Sequence, residues 1–196
     1  MKKLLFTLLF LTLGTAWGGA FEDGYAAVKR EDYATALRLW RPLAEQGYPN
    51  VQFNLGYMYD KGHGVTQDYR EALKWYKLAA EQGLADAQLN LGIMYEISHG
   101  VLQDYREAIK WYRLAAEQGN ANAQSILGSM YANGQGVLQD YVHAHMWYNL
   151  ASAAGGRHYD TDISNRDFVA TKMTPQQIEK AQEMAKACQA RNFKGC

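Results

Sequence analysis

The sequence has no excess of either charge: 20 Lys and Arg balance 20 Asp and Glu over 196 residues. Without a dense basic stripe it lacks the phosphate-neutralising footprint on which non-specific nucleic-acid binding depends. It also lacks a polybasic patch for an anionic membrane. Catalytic motifs are missing too. There is no Ser-x-x-Lys, Gly-x-Ser-x-Gly, His-Glu-x-x-His or Walker loop, and no Lys-Ser/Thr pair follows the glycine-rich loops. Long apolar runs are equally scarce. The run from Leu4 to Leu13, behind Lys2 and Lys3, covers about half the length a spanning helix requires. With Gly18 and Ala20 before Phe21, residues 1–20 read as an export signal cleaved ahead of Phe21. No cysteine stands near the end of the run, which argues against a lipid anchor. The expected mature chain is periplasmic or secreted, has a charge balance of −2 and inserts in no membrane.

Cysteine is confined to Cys188 and Cys196. In an exported chain a disulfide is the leading reading, ahead of a reactive thiol pair or two free thiols. Gly195 frees the backbone beside Cys196, so the tail can fold back to the Cα separation of about 5.5 Å that the bond needs. Neither cysteine has a histidine beside it in sequence, which makes a thiol nucleophile a poor expectation.

What the sequence has is repetition. GVTQDYREALKWYKLAAEQG, Gly64 to Gly83, returns as GVLQDYREAIKWYRLAAEQG, Gly100 to Gly119. The spacing of 36 also joins Leu55, Leu91 and Leu127, then Tyr59, Tyr95 and Tyr131, and Trp75, Trp111 and Trp147. Such a period marks a repeat architecture in which each unit is a helix A, a Gly-containing loop and a helix B. Helix B is expected to open at Asp68 or Asp104 with a capping box completed by Glu71 or Glu107. Tyr105, Ala108, Ile109, Tyr112, Ala115 and Ala116 then form one apolar stripe. On helix A, Gly56, Gly92 and Gly128 each cost about 1 kcal/mol relative to Ala, which points to close approach of a neighbouring helix. Ser98 stands where the other inner loops have Gly62 and Gly134, so that loop is expected to be strained or rearranged. Trp75, Trp111 and Trp147 recur in every unit and are therefore expected to be wedges between repeats.

The ends differ. Gly24-Tyr25 matches Gly56-Tyr57 at an offset of 32, whereas Tyr33 and Ala36 match Tyr69 and Ala72 at 36, so the first unit is short by about four loop residues. Asp162 to Met173 reads as a degenerate helix A, and Thr174-Pro175 opens a last helix to about Ala190.

LGIMY (Leu91 to Tyr95) together with GVLQDYREAIKWYRLAAEQG and their copies resembles the Sel1-like repeat family, a relative of the tetratricopeptide repeats. The resemblance implies an all-α fold, a right-handed α-solenoid of helix-turn-helix repeats. The resulting organisation is residues 1–20 signal, 21–47 a shortened repeat, 48–83, 84–119 and 120–155 full repeats, and 156–196 capping helices with the disulfide. It also implies a non-enzymatic binding scaffold. Some cysteine-rich members are associated with β-lactams, but they carry paired cysteines in many repeats, and here the pair occurs once.

Positions that differ between repeats while lying off the core stripe are free for a partner. On helix A these are Phe53, Tyr57 and Asp60, then Leu89, Ile93 and Glu96, then Ser125, Ser129 and Ala132. With helix A on the concave side, Phe53, Tyr57, Leu89 and Ile93 form a contiguous apolar patch flanked by Asp60 and Glu96, suited to a protein or peptide partner. The competing reading packs these residues against the next repeat. His143 and His145 point roughly 200° apart on a helix, so they and His158 are expected to be solvent-facing or locally bonded, with no metal and no cofactor. An enzyme acting on peptidoglycan or β-lactams and a clamp on cell-wall glycan are the alternative functions.

Overall fold

The computed structural model describes residues 19–155 and 158–196; residues 1–18 of the expected export signal lie outside them. Ten helices and no strand are found among the described residues. They fall into two compact units, one ending at Gln82 and the other beginning at Gly83. The N-terminal unit holds α1 (19–29), α2 (Tyr33–Glu45), α3 (Pro49–Lys61) and α4 (Tyr69–Glu81). The C-terminal unit holds α5 (Ala85–Glu96), α6 (Tyr105–Ala116), α7 (Ala121–Asn133), α8 (Tyr141–Ala153), α9 (Tyr159–Ala170) and α10 (Pro175–Ala190). The helices of 3, 4 and 5 to 8 recur with the sequence period: α3, α5 and α7 are helix A, and α4, α6 and α8 are helix B.

Helix B starts where the aspartates predict. Asp68, Asp104 and Asp140 each accept from the second and third amides of the following helix at 2.9 and 3.1 Å. The capping box does not form at Asp68 or Asp104. The amide of each of these three aspartates is already committed to the carbonyl of Tyr59, Tyr95 or Tyr131 at 2.9–3.0 Å, which pins the end of helix A to the start of helix B. Glu71 and Glu107 turn instead to Lys74 and Lys110. A true box occurs at α10, where Thr174 and Gln177 bond reciprocally.

The glycines of helix A fulfil their expected role. A Cβ on Gly56, Gly92 or Gly128 would stand 2.7, 2.6 or 2.8 Å from the ring of Tyr76, Tyr112 or Tyr148 on the paired helix B. Those tyrosines are buried in the gap the glycines leave. In the shortened first pair the ring is Trp40, and a Cβ on Gly24 would fall 2.2 Å from its Nε1. The α1–α2 connection is only residues 30–32, with Glu31 at φ 59°.

Within each unit a buried glutamine joins one helix pair to the next, a residue the sequence reading did not single out. Gln52 Nε2 donates to the Ala44 carbonyl at 3.0 Å and Gln124 Nε2 to that of Ala116 at 3.1 Å. Gln82 and Gln118 donate in turn to Gln52 and Gln88. Trp75 and Trp147 lie in the cores of the N- and C-terminal units, whereas Trp111 is only partly buried. Helix α9 begins at Tyr159, earlier than expected: Asp162 sits inside its first turn, and its amide bonds the His158 carbonyl at 2.8 Å. The Cys188–Cys196 disulfide is present, with a Cα separation of 5.6 Å. Phe193, in the loop it closes, lies 3.4 Å from where a Cβ on Gly119 would stand.

Ser98 keeps the left-handed conformation of the glycines it replaces, at φ 62° against 70° for Gly62 and 68° for Gly134. The loop is strained, not rearranged. Ser98→Gly is therefore expected to raise stability by about 1 kcal/mol. Gly92→Ala is expected to lower it by about 1–3 kcal/mol through overpacking against Tyr112, despite its better helix propensity. Urea unfolding of both variants checks the opposite signs; a stabilising Gly92→Ala would mean that the ring contact does not constrain the pair.

Candidate functional site

In the N-terminal unit, α1, α2 and α3 and the loop after α3 line one open cleft of about 390 Å³. Trp40, Phe53 and Met58 give it apolar walls, and Tyr25, Tyr33 and Tyr57 add ring surface. Tyr25 is 48% and Tyr57 43% exposed. The position of each ring has a local cause. Trp40 is held by Nε1 donating to the Phe21 carbonyl at 3.2 Å. Phe53 leans on Tyr76, centroids 5.6 Å apart. His63 is carried into the cleft by the turn that Gly62 and Gly64 allow; it stacks on Tyr33 at 4.6 Å and meets Tyr57 edge-on at 5.7 Å.

Two cations border these rings. Lys29 Nζ lies 4.9 Å from the Tyr25 centroid and Lys61 Nζ 5.9 Å from that of Tyr57. Lys61 is committed to Asp60 at 2.8 Å, and that bond holds its ammonium above its ordinary pKa. Asp60, the expected acidic flank, is thus paired with the half-exposed Lys61. Asn54 contributes an amide whose side chain has no hydrogen-bond partner among the described residues. The His63 ring has neither a carboxylate nor a hydroxyl in hydrogen-bond reach among them. The arrangement offers ring faces, the Asn54 amide, the His63 imidazole and the hydroxyls of Tyr25, Tyr33 and Tyr57 for non-covalent contact.

The expected residues of the C-terminal unit behave differently. Leu89 is 9% exposed and belongs to the core cluster with Ala108, Ile109 and Tyr112. This corrects its expected place on a surface patch: an aliphatic side chain at this position is covered, whereas the larger ring of Phe53 at the equivalent position stays partly open. Ile93 packs on the edge of the same cluster. Glu96 accepts from the Tyr112 hydroxyl, and burial followed by this bond raises the phenol far above its ordinary pKa. On α7, Ser125 donates to Asp162 of α9, so that face serves internal packing. Burial raises the Asp162 pKa, with Ser125 opposing.

Phe53 and Tyr57 thus meet in a cleft that is complete within the N-terminal unit, together with Tyr25, Tyr33, Trp40, Asn54 and His63, which sequence reasoning missed. The signal was available in the Gly24-Tyr25 match to Gly56-Tyr57: it makes Tyr25 the counterpart of Tyr57. A second exposed apolar feature is Leu102 and Leu138, 87% and 91% exposed at equivalent loop positions. Among the described residues no three His, Cys, Asp or Glu side chains converge as metal ligands. His143 bonds Asp140 at 2.7 Å and stacks on Tyr131.

The Sel1 repeat family model matches residues 15–48, 49–84, 85–120 and 121–156. A Sel1 repeat protein from Oxalobacter formigenes is similar in structure, with 31% identity and a TM-score of 0.67 over 88% of this chain and 78% of that one. A protective antigen present in uropathogenic Escherichia coli strains, displaying an SLR fold, is 28% identical with a TM-score of 0.61. That match covers 90% of this chain and 46% of the antigen, so this chain spans less than half the antigen's length. No curated protein sequence gives a significant match.

Contrary to its expected solvent-facing or locally bonded place, His145 of α8 is buried with no partner for Nδ1 among the described residues, and burial, then the Arg166 charge, lowers its pKa. The unfolded imidazole takes up a proton below about pH 6.5 while the folded one resists it. Stability present above about pH 6.5 is therefore lost as pH falls toward the folded value. Asp162 acts in a separate window: its raised folded pKa removes stability as pH rises through the carboxylate range. Thermal unfolding between about pH 7.5 and 5.5 should show a falling midpoint that flattens in His145→Gln; parallel curves would assign the pH dependence elsewhere.

Proposed function

We propose that this chain, which belongs to the Sel1 repeat family, is a non-enzymatic exported scaffold that holds a protein or peptide partner in the aromatic cleft of its N-terminal unit. Sel1 repeat proteins are in general protein-interaction scaffolds. The observation that carries the reading here is the pair of half-exposed tyrosines, Tyr25 and Tyr57, at the mouth of an apolar cleft. Rings left open to water in this way are common anchors at protein interfaces, because they bury large area at little entropic cost. Export is supported by the apolar run Leu4 to Leu13 and by the Cys188–Cys196 disulfide. Among the described residues no helix is long and apolar enough to cross a membrane.

Tyr25→Ser combined with Tyr57→Ser should reduce partner capture from envelope extract by about tenfold or more, measured by quantitative mass spectrometry of retained proteins. The melting temperature should move by only a few degrees, because both rings are half-exposed. Unchanged capture would remove the cleft from the function. Loss instead on Leu102→Ser with Leu138→Ser would place the site on the exposed loops.

A further inference from the structure

Resting on the reading of the cleft as the binding site, we infer that its ligand is an extended peptide carrying a leucine- or phenylalanine-sized side chain next to an acidic residue. Size is the first argument. At about 390 Å³ the cleft lies near the lower end of the roughly 300–1,000 Å³ typical of small-ligand sites, which admits a bulky side chain and its backbone rather than a globular surface. The walls formed by Trp40, Phe53 and Met58 carry no charge, so a charged anchor would be desolvated without compensation.

The polar groups narrow the class. The Asn54 carboxamide presents a donor and an acceptor side by side and has no partner among the described residues, which matches the two hydrogen-bonding groups of a peptide backbone.

Charge supplies the flanking residue. Of the two lysines beside the exposed tyrosines, Lys61 is neutralised by Asp60 at 2.8 Å. Lys29 rests on the Tyr25 ring and has no ion pair among the described residues. One uncommitted positive charge therefore stands beside the ring at the cleft mouth, and an aspartate or glutamate adjacent to the apolar anchor complements it.

The test is selection of a phage-displayed library of random short linear peptides on the full mature chain, with synthetic versions of the enriched peptides measured by fluorescence anisotropy. The expected consensus pairs a large apolar residue with an adjacent acid. Binding should be lost in Tyr57→Ser and weakened by roughly tenfold in Lys29→Glu, which should in turn accept a peptide with lysine in place of the acid. Each variant's circular dichroism melt confirms that it is folded. Cleft-dependent peptides with no acidic preference, or unchanged binding in Lys29→Glu, would overturn the inference while leaving the cleft as a binding site. Peptides indifferent to Tyr57→Ser, or displacement of all binders by soluble peptidoglycan fragments, would overturn both.

Discussion

The contact on which the structure depends is a tyrosine ring lying on a glycine. Gly56, Gly92 and Gly128 face Tyr76, Tyr112 and Tyr148 at distances that leave no room for a methyl group. Each glycine weakens its own helix, yet it lets helix B come close enough for a whole ring to leave water, and ring burial outweighs the local cost. The approach fixes how the two helices of a pair meet. The backbone bond from Asp68, Asp104 or Asp140 to the tyrosine that closes helix A then holds the loop in one length. Packing and loop closure thus specify the same geometry, which is the consistency that makes a repeat fold reliably.

The cleft is a consequence of varying that contact, not of adding to it. In the first pair the ring is Trp40 and the connection between helices is short, so α1 brings Tyr25 and Val28 to the same space as Phe53 and Tyr57 of α3. The loop after α3 then contributes His63, held between Tyr33 and Tyr57. In the C-terminal unit the equivalent faces are consumed by the fold: Leu89 enters the core, Glu96 accepts from Tyr112, and Ser125 bonds Asp162. The same helical surface is spent on stability in one unit and left open in the other.

A repeat frame of this kind separates two requirements that compete in most folds. The glycine–tyrosine contacts, the aspartate caps and the buried glutamines recur and bear the stability, so the residues between them can change without unfolding the pair. Binding by such a frame needs no moving parts. Rings fixed by Phe21, Tyr76 and Tyr33 are already placed, and little order remains to be imposed when a ligand arrives.

The sequence by itself determined the period, the helix starts at Asp68, Asp104 and Asp140, and the need for close approach at the helix-A glycines. All of these follow from local spacing or from backbone chemistry that a single residue type imposes. It did not determine which of Phe53, Tyr57, Leu89 and Ile93 remain at the surface, because exposure depends on how far a neighbouring helix covers a side chain, and that is a property of the packed pair. It also could not show that Glu71 and Glu107 are spared from capping, since the amide they would satisfy is taken by a carbonyl nine residues back along the chain. Only the tertiary structure brought Tyr25, Trp40 and His63 to one cleft: they lie on three separate segments, and no periodicity in the chain encodes a distance between them.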